Sequence, residues 1–288
     1  MIGILALLTR IFSNPYSNVI QKRLGQKGFK SLWISFFAYF LLSLFCIIPS
    51  FFIDWARFDF VFWQNVILAG IVGAVGNWFL VEALKCGELS VLGPINSYKS
   101  IISVIFAFLL LGEIPAFLQF LGIFLIIFGS YFIFDGSGEK ISPKIFLRRD
   151  IKFRLLALVF TALEAVFIKK IILMSDILTS FVLWCFFSTI FSFVILVVLK
   201  SKIVANFYIS IKRNLRGFLT LCLCMFLMQF STNIVFEKMN VSCALALFQL
   251  SSLLSVFFGW RYFSEKNLKR KILGTIIMIL GSIVVILR

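Results

Sequence analysis

The stretch Gly87-Glu88-Leu89-Ser90-Val91-Leu92-Gly93-Pro94 opens an apolar segment that runs to Leu111, and Gly112-Glu113-Ile114-Pro115 leads into a second one that ends near Phe134. The same arrangement returns between Val241 and Leu287, shifted by 152 positions. The residues that coincide under this shift are Ser100 and Ser252, Ser103 and Ser255, Val104 and Val256, Phe106 and Phe258, Glu113 and Glu265, Gly122 and Gly274, Gly129 and Gly281, and Ser130 and Ser282. Two apolar helices joined at a glutamate, once in each half, predict an internally duplicated membrane transporter.

The composition argues against a soluble domain. Of the 288 residues, 61% are hydrophobic and 14% are charged, whereas soluble domains are nearer a quarter charged. The apolar runs are about 20 residues long, enough to cross a hydrocarbon core of roughly 30 Å as helix. Long runs without strict alternation favour helices over a barrel. We therefore predict an all-α integral membrane protein, multi-pass, in the cell (plasma or inner) membrane.

Ten membrane helices are predicted, at residues 2–21, 31–53, 62–81, 90–111, 116–134, 153–173, 177–199, 216–236, 241–263 and 269–287. The longest polar stretch lies between the fifth and the sixth. It divides the chain into a first five-helix repeat at 1–135, a basic linker loop at 136–151 and a second five-helix repeat at 152–288. Because five is odd, the repeats have opposite orientations, the inverted-repeat architecture of many secondary transporters.

The net charge of +16 is explained by the sidedness of the loops. Most basic residues fall in the connections after predicted helices one, five, seven and nine, which share one face of the membrane. The positive-inside rule puts this face in the cytoplasm and both termini outside. Nucleic acid is therefore not an expected partner. The chain has no histidine, no nucleotide-binding loop and no paired carboxylates at catalytic spacing, so we expect no enzyme, no metal site and no cofactor.

The hairpin motifs resemble the drug/metabolite transporter superfamily, specifically its EamA-type members. The residues that carry the resemblance are Leu111 to Pro115 with Gly122 and Gly129, Ser264-Glu265 with Gly274 and Gly281, Pro94, Lys22 and Lys170. The resemblance implies secondary transport, often export, by alternating access and without ATP hydrolysis, of substrates that range from amino acids to nucleotide derivatives and drugs. The family is often drawn with both termini in the cytoplasm, so the orientation stays open between that habit and the charge count.

Three charged residues fall near the middle of predicted spans: Arg10, Lys99 and Glu164. Each costs at least about 2.5–3.5 kcal/mol on insertion scales and therefore needs a reason. For Arg10, an interfacial anchor and a cavity residue are both open. For Lys99 and Glu164, the alternatives are a structural ion pair and a substrate contact. Proton coupling by Glu164 ranks below both.

Polar neighbours of these residues favour a cavity. Arg10, Ser13, Asn14 and Ser17 share one face of the first predicted helix, and Asn96, Lys99, Ser100 and Ser103 share one face of the fourth. Tyr98 and Trp184 could stack on a ring. The predicted substrate-binding residues are Arg10, Asn14, Asn77, Asn96, Tyr98, Lys99, Ser103, Glu164, Gln229, Asn233 and Gln249. Because the three charges sum to one positive charge, an anionic or zwitterionic solute fits best.

Glu113 and Glu265 are predicted to be structural, each near the N-terminus of the helix that follows it. The glycine pairs seven residues apart predict close packing between helices five and ten, with a dimer interface as the alternative.

The main prediction is a secondary transporter of a small polar metabolite, amino-acid-like, nucleotide-like or otherwise anionic or zwitterionic. The alternatives are an exporter of multiple drugs or amphipathic compounds, a lipid flippase, and a non-transporting membrane subunit. The expected partners are the small-molecule substrate, membrane lipid and a coupling ion or counter-substrate, with the protein a monomer or homodimer.

Overall fold

The computed structural model describes residues 2–111, 116–136, 143–200 and 207–286, which are helical almost throughout. The α-helices are α1 (Ile2–Gln26), α2 (Ser31–Ser50), α3 (Phe60–Cys86), α4 (Leu89–Leu92), α5 (Tyr98–Leu111), α6 (Phe117–Gly136), α7 (Arg149–Met174), α8 (Ile177–Val198), α9 (Phe207–Lys238), α10 (Val241–Phe248), α11 (Ser251–Phe263) and α12 (Leu268–Ile286). Short 3-10 turns cover Trp55–Arg57, Pro94–Ser97 and Pro143–Leu147. No strand occurs in these ranges, which agrees with the predicted all-α class.

Six helical segments of the described chain are long and apolar enough to cross a membrane. They are Ser31–Ser50, Phe60–Cys86, Phe117–Asp135, Ile177–Val198, Lys212–Lys238 and Val241–Phe263. Helices α1 and α7 are of similar length, 25 and 26 residues, but polar and charged side chains interrupt their apolar runs. The protein is therefore a multi-pass helical membrane protein.

Two of the predicted helices are broken within their N-terminal half. The one predicted at 90–111 divides into α4, the 3-10 turn at Pro94–Ser97 and α5, because Pro94 has no N–H to continue a helix. The one predicted at 241–263 divides into α10 and α11. Helix α7 begins at Arg149, inside the predicted linker. Breaks at corresponding places in the two halves leave backbone carbonyls free for other partners.

Helix packing follows the duplication. Helix α6 packs along α12, and α2 along α8, so each of these pairs joins corresponding helices of the two halves. Helix α3 packs along α7, and α1 along α9. Because α1 corresponds to α7 and α3 to α9, exchanging the two halves converts the pair α1–α9 into the pair α7–α3. An internal two-fold relation requires this.

Glycines bring α6 and α12 into backbone contact. A Cβ atom on Gly122 would lie 2.7 Å from the carbonyl oxygen of Gly281, and one on Gly129 would lie 2.7 Å from that of Gly274. No side chain fits at either place. The predicted packing of helices five and ten is confirmed, and these glycine faces are occupied within one chain.

Gly129→Ala is expected to destabilise the protein by about 1–3 kcal/mol, because the added methyl group forces α6 away from α12. Gly217→Ala is the matched control, since a Cβ atom there meets its nearest neighbour, Leu24 Cδ2, at an ordinary 3.5 Å. Alanine also favours a helix interior over glycine, so the control should be neutral or slightly stabilising. Thermal unfolding in detergent measures both, and equal melting temperatures would contradict the packing argument.

Candidate functional site

A polar cavity of about 120 Å³ lies between the two halves of the chain. This volume holds about four water molecules. Seven of the predicted substrate-binding residues line it: Arg10, Asn14, Asn77, Asn96, Lys99, Glu164 and Gln229. The lining also includes polar residues outside the predicted set: Ser17, Asn18, Gln21, Arg154, Thr161 and Thr232. The sequence thus predicted the location of the cavity but not its full polar lining.

Three predicted site residues lie outside the lining. The Tyr98 hydroxyl donates to Ser130 Oγ on α6, over 3.2 Å, and its ring packs edge-on against Phe146. Asn233 is buried, donates to the carbonyl of Ile177 and accepts from Gln229. Gln249 and Asn96 bond to each other, with Asn96 Nδ2 donating to Gln249 Oε1 over 3.0 Å. These three side chains do not line the cavity, and their role in substrate binding stays a prediction. The side chain of Ser103 falls outside the described part of the chain.

Arg10 is held inside the cavity by α9 and α10. Its Nε donates to Thr232 Oγ1 over 2.9 Å, and its guanidinium carbon lies 4.7 Å from the ring centre of Phe248. Its Nη1 is buried and has no partner among the described residues. Because α1 begins at Ile2, Arg10 is well inside a helix, and the interfacial-anchor alternative is wrong.

Lys99 and Glu164 face the same cavity without forming an ion pair. No ion pair within 4.0 Å joins them to any described residue. Glu164 Oε1 accepts from Trp184 Nε1 over 2.8 Å. Gly73 of α3 makes room for this carboxylate, since a Cβ atom there would collide with it. The structural Lys–Glu pair is therefore not formed, and both charges are available to a ligand.

Arg154 is a functional candidate outside the predicted set of substrate-binding residues. It lies within α7 and is 7% exposed. Its Nε donates to the Leu92 carbonyl over 2.9 Å, and its Nη2 donates to Asn96 Oδ1 over 3.1 Å. In an unbroken helix the N–H of Asn96 would bond to Leu92, but here it bonds to the carbonyl of Gly93. The break at Pro94 therefore creates the acceptor that fixes Arg154.

Glu265 lies at the centre of a network of hydrogen bonds and an ion pair. This network lies on the basic face, the side of the protein that carries the connections rich in lysine and arginine. The Glu265 carboxylate accepts from the backbone N–H groups of Leu89 and Ser90, over 2.8 and 2.7 Å, and pairs with Lys22 at 2.9 Å. Burial opposes its charge, but Lys22 and the bonds from Ser90 outweigh burial and lower the pKa of Glu265. Glu265 thus caps α4 of the other half, not the following helix as predicted. Its counterpart Glu113 lies outside the described residues.

Lys22 has a counterpart at the opposite face. Its ammonium donates to the carbonyl of Gly87, after α3. In the second half, Lys169 donates to the carbonyls of Phe236 and Met239, at the end of α9. Met239 corresponds to Gly87 under the repeat shift. Lys169 therefore makes the contact that corresponds to that of Lys22. Lys170, the residue quoted for the resemblance, is exposed and lies over the ring of Phe167.

Comparisons with known proteins agree with this geometry. The family model described as "EamA-like transporter family" matches residues 1–135 and 150–287. A solved chain titled only "Crystal structure of protein" superposes with a TM-score of 0.61 at 14% identity, covering 99% of this chain and 95% of that one, which shows the fold. The search of curated proteins gives no match. The resemblance drawn from the hairpin motifs is confirmed, and this multi-pass membrane protein belongs to the EamA-like transporter family.

Proposed function

We propose that the protein is a secondary transporter that moves a small anionic or zwitterionic metabolite across the cell membrane by alternating access. The observation that carries the proposal is the central cavity between the halves, with a guanidinium nitrogen of Arg10, the ammonium of Lys99 and the carboxylate of Glu164 all without an ion-pair partner in the described chain. Unpaired charges at membrane depth indicate a ligand or ion pathway.

The proposed architecture is ten membrane helices in two inverted repeats, 1–135 and 152–288, joined by the linker at 136–151. In this arrangement α4 and α5 form one crossing, and α10 and α11 form another. The pairing of α6 with α12 and of α2 with α8 supports the inversion. The excess of basic residues supports a cytoplasmic location for the face that carries Lys22 and Glu265.

Alternating access requires that each face can close over the cavity in turn. On the basic face, Glu265 and Lys22 tie the start of α4 to α1 and to the connection between α11 and α12. On the opposite face, Lys169 ties α7 to the connection between α9 and α10. We propose that these two sets of contacts form and break in alternation.

Export of amphipathic compounds is the second candidate. A separate, mainly apolar pocket of about 500 Å³ lies between α2, α8 and α9, lined by residues such as Phe45, Phe181 and Phe226. An amphipathic compound would fit this apolar surface better than the polar central cavity.

Counterflow tests the proposal. Purified protein is placed in liposomes preloaded with pools of organic acids, amino acids, nucleotides or cationic drugs, and uptake of each labelled compound is followed. We expect transient accumulation of an anionic or zwitterionic compound only when its own pool is inside, and none in protein-free liposomes. Folded protein that exchanges none of the anionic or zwitterionic pools would contradict the proposal, and exchange of cationic drugs alone would favour the second candidate.

A further inference from the structure

The central cavity contains more positive charge than a monoanion or a zwitterion neutralises. Resting on the proposed function, we infer that the substrate is a small dianion, which carries two negative charges as a dicarboxylate or a phosphate monoester. Arg154 adds a third cation to Arg10 and Lys99, while Glu164 is the one carboxylate among the described lining residues. The formal charge of the empty cavity is therefore two positive charges.

None of these three cations has an anionic partner within ion-pair distance among the described residues. Arg10 Nη1 is buried without a partner among the described residues. Lys99 makes no hydrogen bond or ion pair with any residue of the described ranges. Arg154 is held by a backbone carbonyl and an amide oxygen, both of them neutral. The guanidinium of Arg154 is thus fixed in place, and its charge is left for a ligand to balance.

The cations and the one carboxylate are spread along the cavity, with Arg154 at the end farther from Glu164. Arg154 and Glu164 are ten residues apart on α7, about 15 Å along the helix axis. Lys99 interacts electrostatically with Arg154, Arg10 and Glu164, whereas among the cavity cations Glu164 interacts with Lys99 and Arg10. Glu164 therefore partly offsets Arg10 and Lys99 and leaves Arg154 uncompensated. A zwitterion has one anionic group for this end and no second one for the other cations, while a dianion matches the whole charge.

The test compares counterflow of four small labelled solutes: succinate, glycerol phosphate, butyrate and alanine. We expect succinate or glycerol phosphate to exchange at least about tenfold faster than butyrate and alanine, since one unmatched charge is worth at least a factor of ten. The faster of the two dianions shows whether the substrate is a dicarboxylate or a phosphate monoester. In detergent, the preferred dianion should raise the melting temperature of the protein, and butyrate should not.

Arg154→Gln should abolish the preference for the dianion, with its exchange rate falling to within about threefold of butyrate. Because Arg154 also supports the break in the helix, Arg154→Lys is included. It keeps the charge and should retain most of the preference even if the overall rate falls. Arg149→Gln is the matched control, because it also removes a cation from α7. The side chain of Arg149 is exposed and pairs with Glu82 outside the cavity. This variant should leave the preference unchanged.

Two failures are distinguishable. Faster exchange of butyrate or alanine than of either dianion by the wild type, or an unchanged preference in Arg154→Gln, would overturn the dianion inference and leave the transport proposal standing. Absence of counterflow for all four solutes, with no thermal stabilisation by any of them, would overturn the dianion inference. Absence across the wider pools as well would overturn the proposed function.

Discussion

Lys99→Met is expected to lower counterflow of the preferred solute by a factor of about 100 or more while raising the melting temperature. Lys99 lines the cavity together with Arg10, Arg154 and Glu164. Two charge-assisted contacts to an anion are worth about 3 kcal/mol together, which corresponds to roughly two powers of ten in affinity. Methionine keeps the length of the side chain and removes the charge.

The opposite sign expected for stability separates a binding role from a structural one. Lys99 makes no hydrogen bond or ion pair with the described residues, so its replacement removes an unpaired cation and breaks no contact. Removing an unmatched charge from a protein interior stabilises the fold. Lys170→Met, at an exposed site on α7, is the control and should change neither quantity. Transport at the wild-type rate, or a melting temperature lowered by several degrees, would contradict the assignment of Lys99 to the substrate.

The sequence predicted three charged residues of the cavity, because a charge within an apolar run is rare and can be recognised from the local sequence alone. Arg10, Lys99 and Glu164 stand out within apolar runs, and all three line the cavity. Arg154 was left out of the predicted site because it lies near the start of a helix, where the positive-inside rule already explains an arginine. Its spacing from Thr161 and Glu164, seven and ten residues, was the available signal, since these positions share one helix face.

The position of Tyr98 outside the cavity lining has a geometric cause. Successive residues of a helix point about 100° apart, so a helix that turns Lys99 into the cavity turns Tyr98 toward Ser130 on α6. A polar residue adjacent in sequence to a cavity residue is thus the one most easily misplaced. Gln249 lies outside the lining for another reason, since it bonds to Asn96, 153 positions away, and no local pattern reveals this contact.

The capping of α4 by Glu265 is likewise a contact between the two halves. The sequence indicated that this glutamate is structural, because it ends a tight hairpin, but it indicated the wrong helix. The carboxylate reaches Leu89 and Ser90, which are 176 and 175 positions distant. A glutamate near the end of one repeat therefore caps the beginning of a helix in the other.

Glu265→Gln is expected to destabilise the protein by about 3–5 kcal/mol, because it leaves the buried Lys22 without a counter-charge. The side chains of Lys22 and Glu265 are 8% and 5% exposed, so water does not replace the lost partner. The double variant Lys22→Met with Glu265→Gln should recover part of this loss, since the unpaired cation is then removed as well. Arg57→Gln is the control. It removes an ion pair to Asp176 whose two side chains are about half exposed, and should cost about 0–1 kcal/mol.

The dependence of this effect on pH follows from the lowered pKa of Glu265. A carboxyl group whose pKa is lower in the folded protein than in the unfolded chain adds stability that is fully present above its unfolded pKa. That stability is lost as the pH falls through the folded pKa. The difference in melting temperature between wild type and Glu265→Gln should therefore be constant from neutral pH down to about pH 5.5, and should shrink below the ordinary value of 4.5. A difference that shrinks already between pH 7 and pH 6 would contradict the assignment of this stability to the ionised carboxylate.

The same variant tests whether the network closes the basic face. Asn18 lies on α1, four residues before Lys22, and lines the cavity. A cysteine introduced at Asn18 should react with a membrane-impermeant thiol reagent faster in Glu265→Gln than in a wild-type background, and only when the reagent is added on the basic face. The native cysteines are controlled for by labelling both backgrounds without the added cysteine. Because the capped α4 adjoins the break that positions Arg154, loosening this cap should also slow counterflow. A cap that served folding alone would change the melting temperature and leave both labelling and counterflow, measured on folded protein, unaltered.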